Sequence, residues 1–166
     1  MGKTDKNPKK SSRYAGAGCD AFTLVEIMVV VAIVGVLASI GIPSFAKARN
    51  QSRISRYLND IRQAIDYIEL YAMENGSYPP DKMPRQAPDG LHEYVKRFDW
   101  NADTPLGGKW DWDFQSVGIT AGVTVIGATA SLADLLQVDQ KIDDGNLVTG
   151  RFRRTGAGGY TYVVAD

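Results

Sequence analysis

Residues 27–46 read IMVVVAIVGVLASIGIPSFA and contain no charged side chain. As a helix rising about 1.5 Å per residue, such a run is roughly 30 Å long, the thickness of a bilayer hydrocarbon core. The rest of this 166-residue chain is too small to wrap such a helix on all sides, which argues against a buried core helix. A secretory signal peptide would have a shorter apolar region ending in a small-residue cleavage site. Here the run leads directly into Lys47, Arg49, Arg53 and Arg56, so the segment reads as a retained membrane anchor. Basic residues flank both ends, and charge alone leaves its orientation open.

The residues before the run are of another kind. Residues 1–20 are rich in Gly, Ser, Lys and Pro, lack apolar periodicity and are predicted to be disordered. They carry Lys3, Lys6, Lys9, Lys10 and Arg13 against Asp5 and Asp20. The segment after Ala21 keeps 14 of the 19 basic and 17 of the 19 acidic residues, so no large basic face is expected and nucleic acid is not a partner. Cys19 is the only cysteine and His92 the only histidine. An internal disulfide is excluded, and a histidine-based metal site or catalytic dyad is poorly supported.

Glu26 is the discordant residue, five positions into the segment that begins at Phe22. A charged side chain near a membrane centre costs about 2.5–3.5 kcal/mol on insertion scales, and less toward an interface. Either Glu26 lies at the interface and faces water, or it has a cationic partner. Farther along, Pro43 removes a backbone donor and is expected to bend or loosen the helix. Beyond Lys47, Ile54, Leu58, Ile61, Ile65, Ile68 and Ala72 recur at spacings of three and four, one apolar stripe on a helix. The helix is predicted to run unbroken to about Glu74, where Asn75-Gly76 and then Pro79-Pro80 stop it.

Residues 77–108 are loop-rich, with a short helical piece expected at 91–98. The run Lys109-Trp110-Asp111-Trp112-Asp113-Phe114 predicts a half-buried strand with Trp110, Trp112 and Phe114 inward. Residues 122–127 predict a second strand, joined by a turn around Gly118. Ser131, with Asp134 three residues later, predicts a capped short helix ended by Gly145. Residues 151–154 and 160–164 predict closing strands around a glycine-rich turn. The expected fold class is α+β: a long N-terminal helix, transmembrane in its first half, packed on a small antiparallel sheet.

Little catalytic chemistry is visible. Asp111 and Asp113 face one side of a strand and are weak calcium candidates; no metal or other cofactor is expected with assurance. Asp139, Asp143 and Asp144 lack the ligand spacing of an EF-hand and are expected to form a solvated helix end. Gly156-Ala157-Gly158-Gly159 is not followed by the helix of a phosphate-binding loop and reads as a tight turn. The chain is expected not to be an enzyme.

Ala21-Phe22-Thr23-Leu24-Val25-Glu26, after a basic leader and before an apolar helix, closely resembles the processing site of type IV prepilins and type II secretion pseudopilins. Pro43 falls where that family places a helix-kinking proline. The close match covers about residues 21–50, and the later Pro105-Leu-Gly-Gly-Lys-Trp resembles the major pseudopilin layout only loosely. The resemblance implies that prepilin peptidase cuts between Ala21 and Phe22 and methylates the new amine of Phe22. It implies that Glu26 attracts the N-terminal amine of a neighbouring subunit, and that loosening near Pro43 accompanies packing into a filament. Some pseudopilins of this kind bind calcium in a loop near their sheet. The family pattern has Gly before the cut; Ala21, the smallest alternative, is expected to permit processing.

The resulting organisation is a leader at 1–21, removed on maturation; a transmembrane helix at 22–46; its amphipathic continuation at 47–75; and a C-terminal pilin-like domain at 76–166. The expected function is a structural subunit of a type II secretion pseudopilus or type IV pilus. Its expected partners are prepilin peptidase, other pilin or pseudopilin subunits, the inner-membrane assembly platform and the lipid bilayer. The expected location is the inner (cytoplasmic) membrane, single-pass, with the C-terminal domain periplasmic or otherwise extracytoplasmic. The alternative is a single-pass membrane-anchored binding protein that does not polymerise. A membrane-tethered enzyme would need a clustered catalytic site in the tail, and the sequence displays none.

Overall fold

The computed structural model describes residues 2, 22–91, 98–156 and 158–166. Its elements are helix α1 (Leu24–Asn75), strands β1 (Lys109–Phe114) and β2 (Ala121–Ile126), helix α2 (Leu132–Ile142), and strands β3 (Phe152–Arg154) and β4 (Tyr160–Ala165). The short helical piece expected at 91–98 falls largely outside the described residues. Two compact units divide the chain, Met1–Ile42 and Pro43–Asp166, and α1 contributes to both.

In the first unit, every described side chain from Phe22 onward is exposed except the half-buried Ala38. The exposed residues include Leu24, Val25, Ile27, Met28, Val34 and Leu37. Aliphatic side chains gain free energy when removed from water. A helical segment apolar on all its faces is therefore suited to lipid or to other helices.

In the second unit, α1 supplies one wall of a core. Ile54, Tyr57, Leu58, Ile61, Ala64, Ile65 and Ile68 are buried along it, and Ala72 is half-buried. The helix ends at Asn75, and Gly76 follows with φ of 72°, a left-handed conformation that glycine adopts without steric cost. The stripe meets aromatic rings from the sheet. Tyr57 stacks on Trp110 at 5.5 Å and meets Phe152 edge-on at 5.9 Å. Phe98 closes the group edge-on to Trp110 at 5.1 Å. Each such pair is worth about 1 kcal/mol beyond the area it buries.

The four strands form one antiparallel sheet in the order β1-β2-β4-β3. Trp110 lies opposite Val125 and Trp112 opposite Val123, so the β1–β2 hairpin brings bulky residues into register on the core face. Gly107 and Gly108, before β1, have φ of 78° and 82°. A Cβ on Gly108 would lie 2.3 Å from the Ile126 carbonyl oxygen, so this approach to β2 admits only glycine.

The expectation of a half-buried β1 is corrected. Trp110, Asp111, Trp112 and Asp113 are all buried, and Phe114 is half-buried. The segment before the sheet lies over the outer face and edge of β1. The Phe114 amide donates to Asp81 Oδ1 at 3.0 Å, the Arg85 amide to the Trp110 carbonyl at 2.9 Å, and Trp112 Nε1 to the Pro79 carbonyl at 3.0 Å.

Helix α2 occupies the β2–β3 connection. Its capping box is formed: the Asp134 amide donates to Ser131 Oγ at 3.2 Å and the Ser131 amide to Asp134 Oδ2 at 3.3 Å. Asn50 Nδ2 of α1 also donates to Asp134 Oδ1, and Arg53 Nε donates to the Pro105 carbonyl at 3.0 Å. In the glycine-rich segment the Gly158 amide donates to the Thr155 carbonyl at 3.1 Å and the Thr155 amide to the Gly159 carbonyl at 3.2 Å.

Candidate functional site

The N-terminal end of α1 is built by Thr23. Its Oγ1 accepts from the Glu26 amide at 3.2 Å, satisfying one of the donors that a helix start leaves open. Thr23 and Glu26 have the spacing of a capping box, and the Thr23 half is made. Glu26 is exposed in the first turn, where a carboxylate interacts favourably with the positive end of the helix dipole. Phe22 precedes the helix and is 75% exposed. Ala21 lies outside the described residues. Pro43 lies inside α1, and the helix is continuous through it.

By length and composition, α1 can cross a membrane, and none of its most apolar stretch is buried within the protein. Phe22 and Glu26 thus stand together at the start of an exposed apolar helix. Asp111 and Asp113 lie in the other compact unit.

Asp111 and Asp113 line a cavity of about 480 Å³ together with Asp81, Lys82, Met83 and Gln86. Asp113 accepts from Thr124 Oγ1, which continues through Thr161 Oγ1 at 2.7 Å to Thr155 Oγ1 at 2.8 Å, a polar line across the sheet. Asp111 Oδ1 is buried without a hydrogen-bond partner. Burial, followed by repulsion from Asp113 and Asp81, pushes the Asp111 carboxyl up to about 7. Burial also raises Asp113, and the Thr124 hydroxyl opposes that shift. Asp81 is the participant that sequence reasoning missed. It sits in a proline-rich loop, and no local pattern ties it to a strand some thirty positions later.

A second acidic group differs from its sequence expectation. Asp143 and Asp144 are exposed, as a solvated helix end requires, but Asp139 is completely buried. Carboxylate oxygens of the three lie within 4.8 Å of one another. The signal for this burial was present. Leu135, Val138 and Ile142 mark the inward face of α2, and position 139 falls on it.

The prokaryotic N-terminal methylation motif matches residues 17–42. The type II secretion system core protein G of Pseudomonas aeruginosa is 32% identical over 89 residues, covering 49% of this chain and 58% of that protein. The type IV wide pilus major component PilA4 of Thermus thermophilus is 40% identical over 60 residues, covering 34% of this chain and 44% of that protein. Over part of its length the chain is similar to type IV pilins and type II secretion pseudopilins. The chain spans about half the length of the curated relatives it matches. Its fold is that of the major type IV pilin PilA1 of Clostridium difficile, with a TM-score of 0.52 at 16% identity over 70% of this chain and 97% of that one.

Proposed function

We propose that this protein is a structural subunit of a pilus-type filament, either a type II secretion pseudopilus or a type IV pilus, and that its role is assembly rather than catalysis. The observation that carries this reading is the methylation motif at residues 17–42 leading into a helix whose apolar first stretch is exposed. The proposed maturation is a cut between Ala21 and Phe22 by prepilin peptidase, followed by methylation of the Phe22 amine. The mature chain would start two residues before α1, at the inner membrane, with residues 76–166 on its extracytoplasmic side.

In this reading, Glu26 pairs with the Phe22 amine of a neighbouring subunit delivered by the assembly platform. A carboxylate and an ammonium entering lipid together offset each other's desolvation, whereas either alone is costly. Pro43 supplies a point where α1 loosens during packing, because its ring removes one backbone bond. The pseudopilin and pilin relatives leave both kinds of filament within the proposal.

The test is Glu26→Ala beside Glu26→Gln in cells that express prepilin peptidase and an assembly platform. Wild-type chain is expected in sheared multimers, and both variants are expected in the membrane as monomers. Glutamine retains the side-chain length and a helix-capping oxygen, so failure of both variants isolates the charge. Wild-type chain that stays monomeric beside a working platform contradicts the proposal and favours a solitary membrane-anchored binding protein.

A further inference from the structure

Beyond its apolar run, α1 turns cationic without an acidic counterweight. Lys47, Arg49, Arg53 and Arg56 follow Ala46, and no acidic residue occurs between Ile27 and Asn59. Arg49, Arg53 and Arg56, spaced by four and three, share one face of the helix. Like charges at these spacings repel and disfavour the helix. Lys47, Arg49 and Arg56 are exposed; Arg53 is half-buried, its Nε donating to the Pro105 carbonyl at 3.0 Å. No salt bridge among the described residues includes any of the four. Asp134 acts on Arg53 and Asp60 on Arg56 only at longer range, and Asp134 is already engaged by Asn50 Nδ2 and the Ser131 amide.

The position of this stripe indicates what opposes its charge. Lys47 directly follows the uncharged run, and Arg56 lies about 14 Å farther along the helix axis. The headgroup layer of a bilayer extends roughly 5–8 Å beyond the hydrocarbon on each side. Helical side chains lean toward the N-terminus of their helix, so the three arginines reach back toward that layer, as snorkelling cations do. Phe45, 73% exposed and four residues before Arg49, continues the same face into the apolar run. Three of the four cations are arginine, whose planar guanidinium binds phosphate oxygens in pairs, which an ammonium cannot do. With residues 76–166 extracytoplasmic, the stripe lies on the side of the membrane where Lys and Arg are ordinarily scarce. A role in setting topology therefore does not account for it.

We infer that Lys47, Arg49, Arg53 and Arg56 form a docking stripe for the phosphate headgroups of anionic phospholipid on the extracytoplasmic leaflet. Bound headgroups relieve the repulsion within the stripe and hold the start of the second compact unit at the membrane surface. This inference rests on the membrane-spanning part of the proposed function and is independent of polymerisation.

The experiment uses the full chain in detergent, offered equal amounts of dioleoylphosphatidylglycerol and dioleoylphosphatidylcholine, with retained lipid read by native mass spectrometry. Wild type is expected to retain the anionic lipid preferentially. Joint replacement Arg49→Gln and Arg56→Gln, at two exposed positions, is expected to cut that preference about tenfold. Lys141→Gln with Arg154→Gln removes the same charge from exposed positions elsewhere and is expected to leave it unchanged. Glutamine at Lys3, Lys6, Lys9, Lys10 and Arg13 together tests the basic leader, and the preference is expected to persist. Equal retention of the two lipids by wild type overturns the inference while leaving the membrane span intact; retention of neither overturns both. An equal loss in the Lys141 and Arg154 pair reduces the effect to net charge, and a preference lost only with the leader cations places the lipid there; either result also overturns the inference.

Discussion

Asp111 shows how one side chain can shape the stability of the whole sheet domain. Its folded-state carboxyl lies near 7, raised by burial and then by Asp113 and Asp81, against about 3.9 when unfolded. Between those values the folded form holds a proton that the unfolded form has lost. Stability is therefore full below about pH 4 and declines as pH rises toward 7. Asp139, pushed up to about 7 by burial and then by Asp143, adds a decline of the same sign. Wild-type stability is expected to fall by on the order of 2–4 kcal/mol per carboxyl across this range. Asp111→Asn removes one titrating group, and its profile is expected to be shallower. Urea unfolding from pH 4 to 8 checks this; equal slopes for wild type and variant would rule out Asp111 as a source.

At the scale of elements, α2 rests on a cap whose two bonds are both visible, and Ser131→Ala removes one of them. The loss is expected to be about 1 kcal/mol, read as a lowered unfolding midpoint with an unchanged denaturant slope. A steeper or shallower slope would mean that α2 unfolds separately from the sheet. This cap was legible in the sequence because it is local, with serine and aspartate three positions apart before an apolar run. The length of α1 was legible for a similar reason, since its uncharged run continues into a stripe of spacing three and four before Asn75-Gly76. The stripe was incomplete, however. Tyr57 and Ala64 are buried with the isoleucines, and only the stacking partner Trp110, 53 positions later, makes Tyr57 a core residue. Asp111 and Asp113 were misplaced because alternation describes a strand with one wet face. The loop through Pro79, Asp81 and Arg85 covers that face of β1, and its contacts span long sequence separations. Asp139 was different, because the inward face of α2 already included its position.

At the scale of the whole molecule, the two compact units have opposite surface chemistry. Residues 22–42 expose aliphatic side chains almost without exception, whereas the second unit buries its own around Tyr57, Trp110 and Trp112. A chain of this kind has solved its folding problem in one unit and left the other to its surroundings, which the filament reading identifies as lipid first and neighbouring subunits afterwards. All of that depends on maturation at a site whose preceding residue is alanine. The most direct measurement is therefore intact-mass and N-terminal analysis of the protein extracted from membranes that contain prepilin peptidase. The expected result is a chain beginning at N-methylated Phe22. A chain that still begins at Met1 or Gly2 would contradict processing at Ala21 and, with it, the subunit role built on that new terminus.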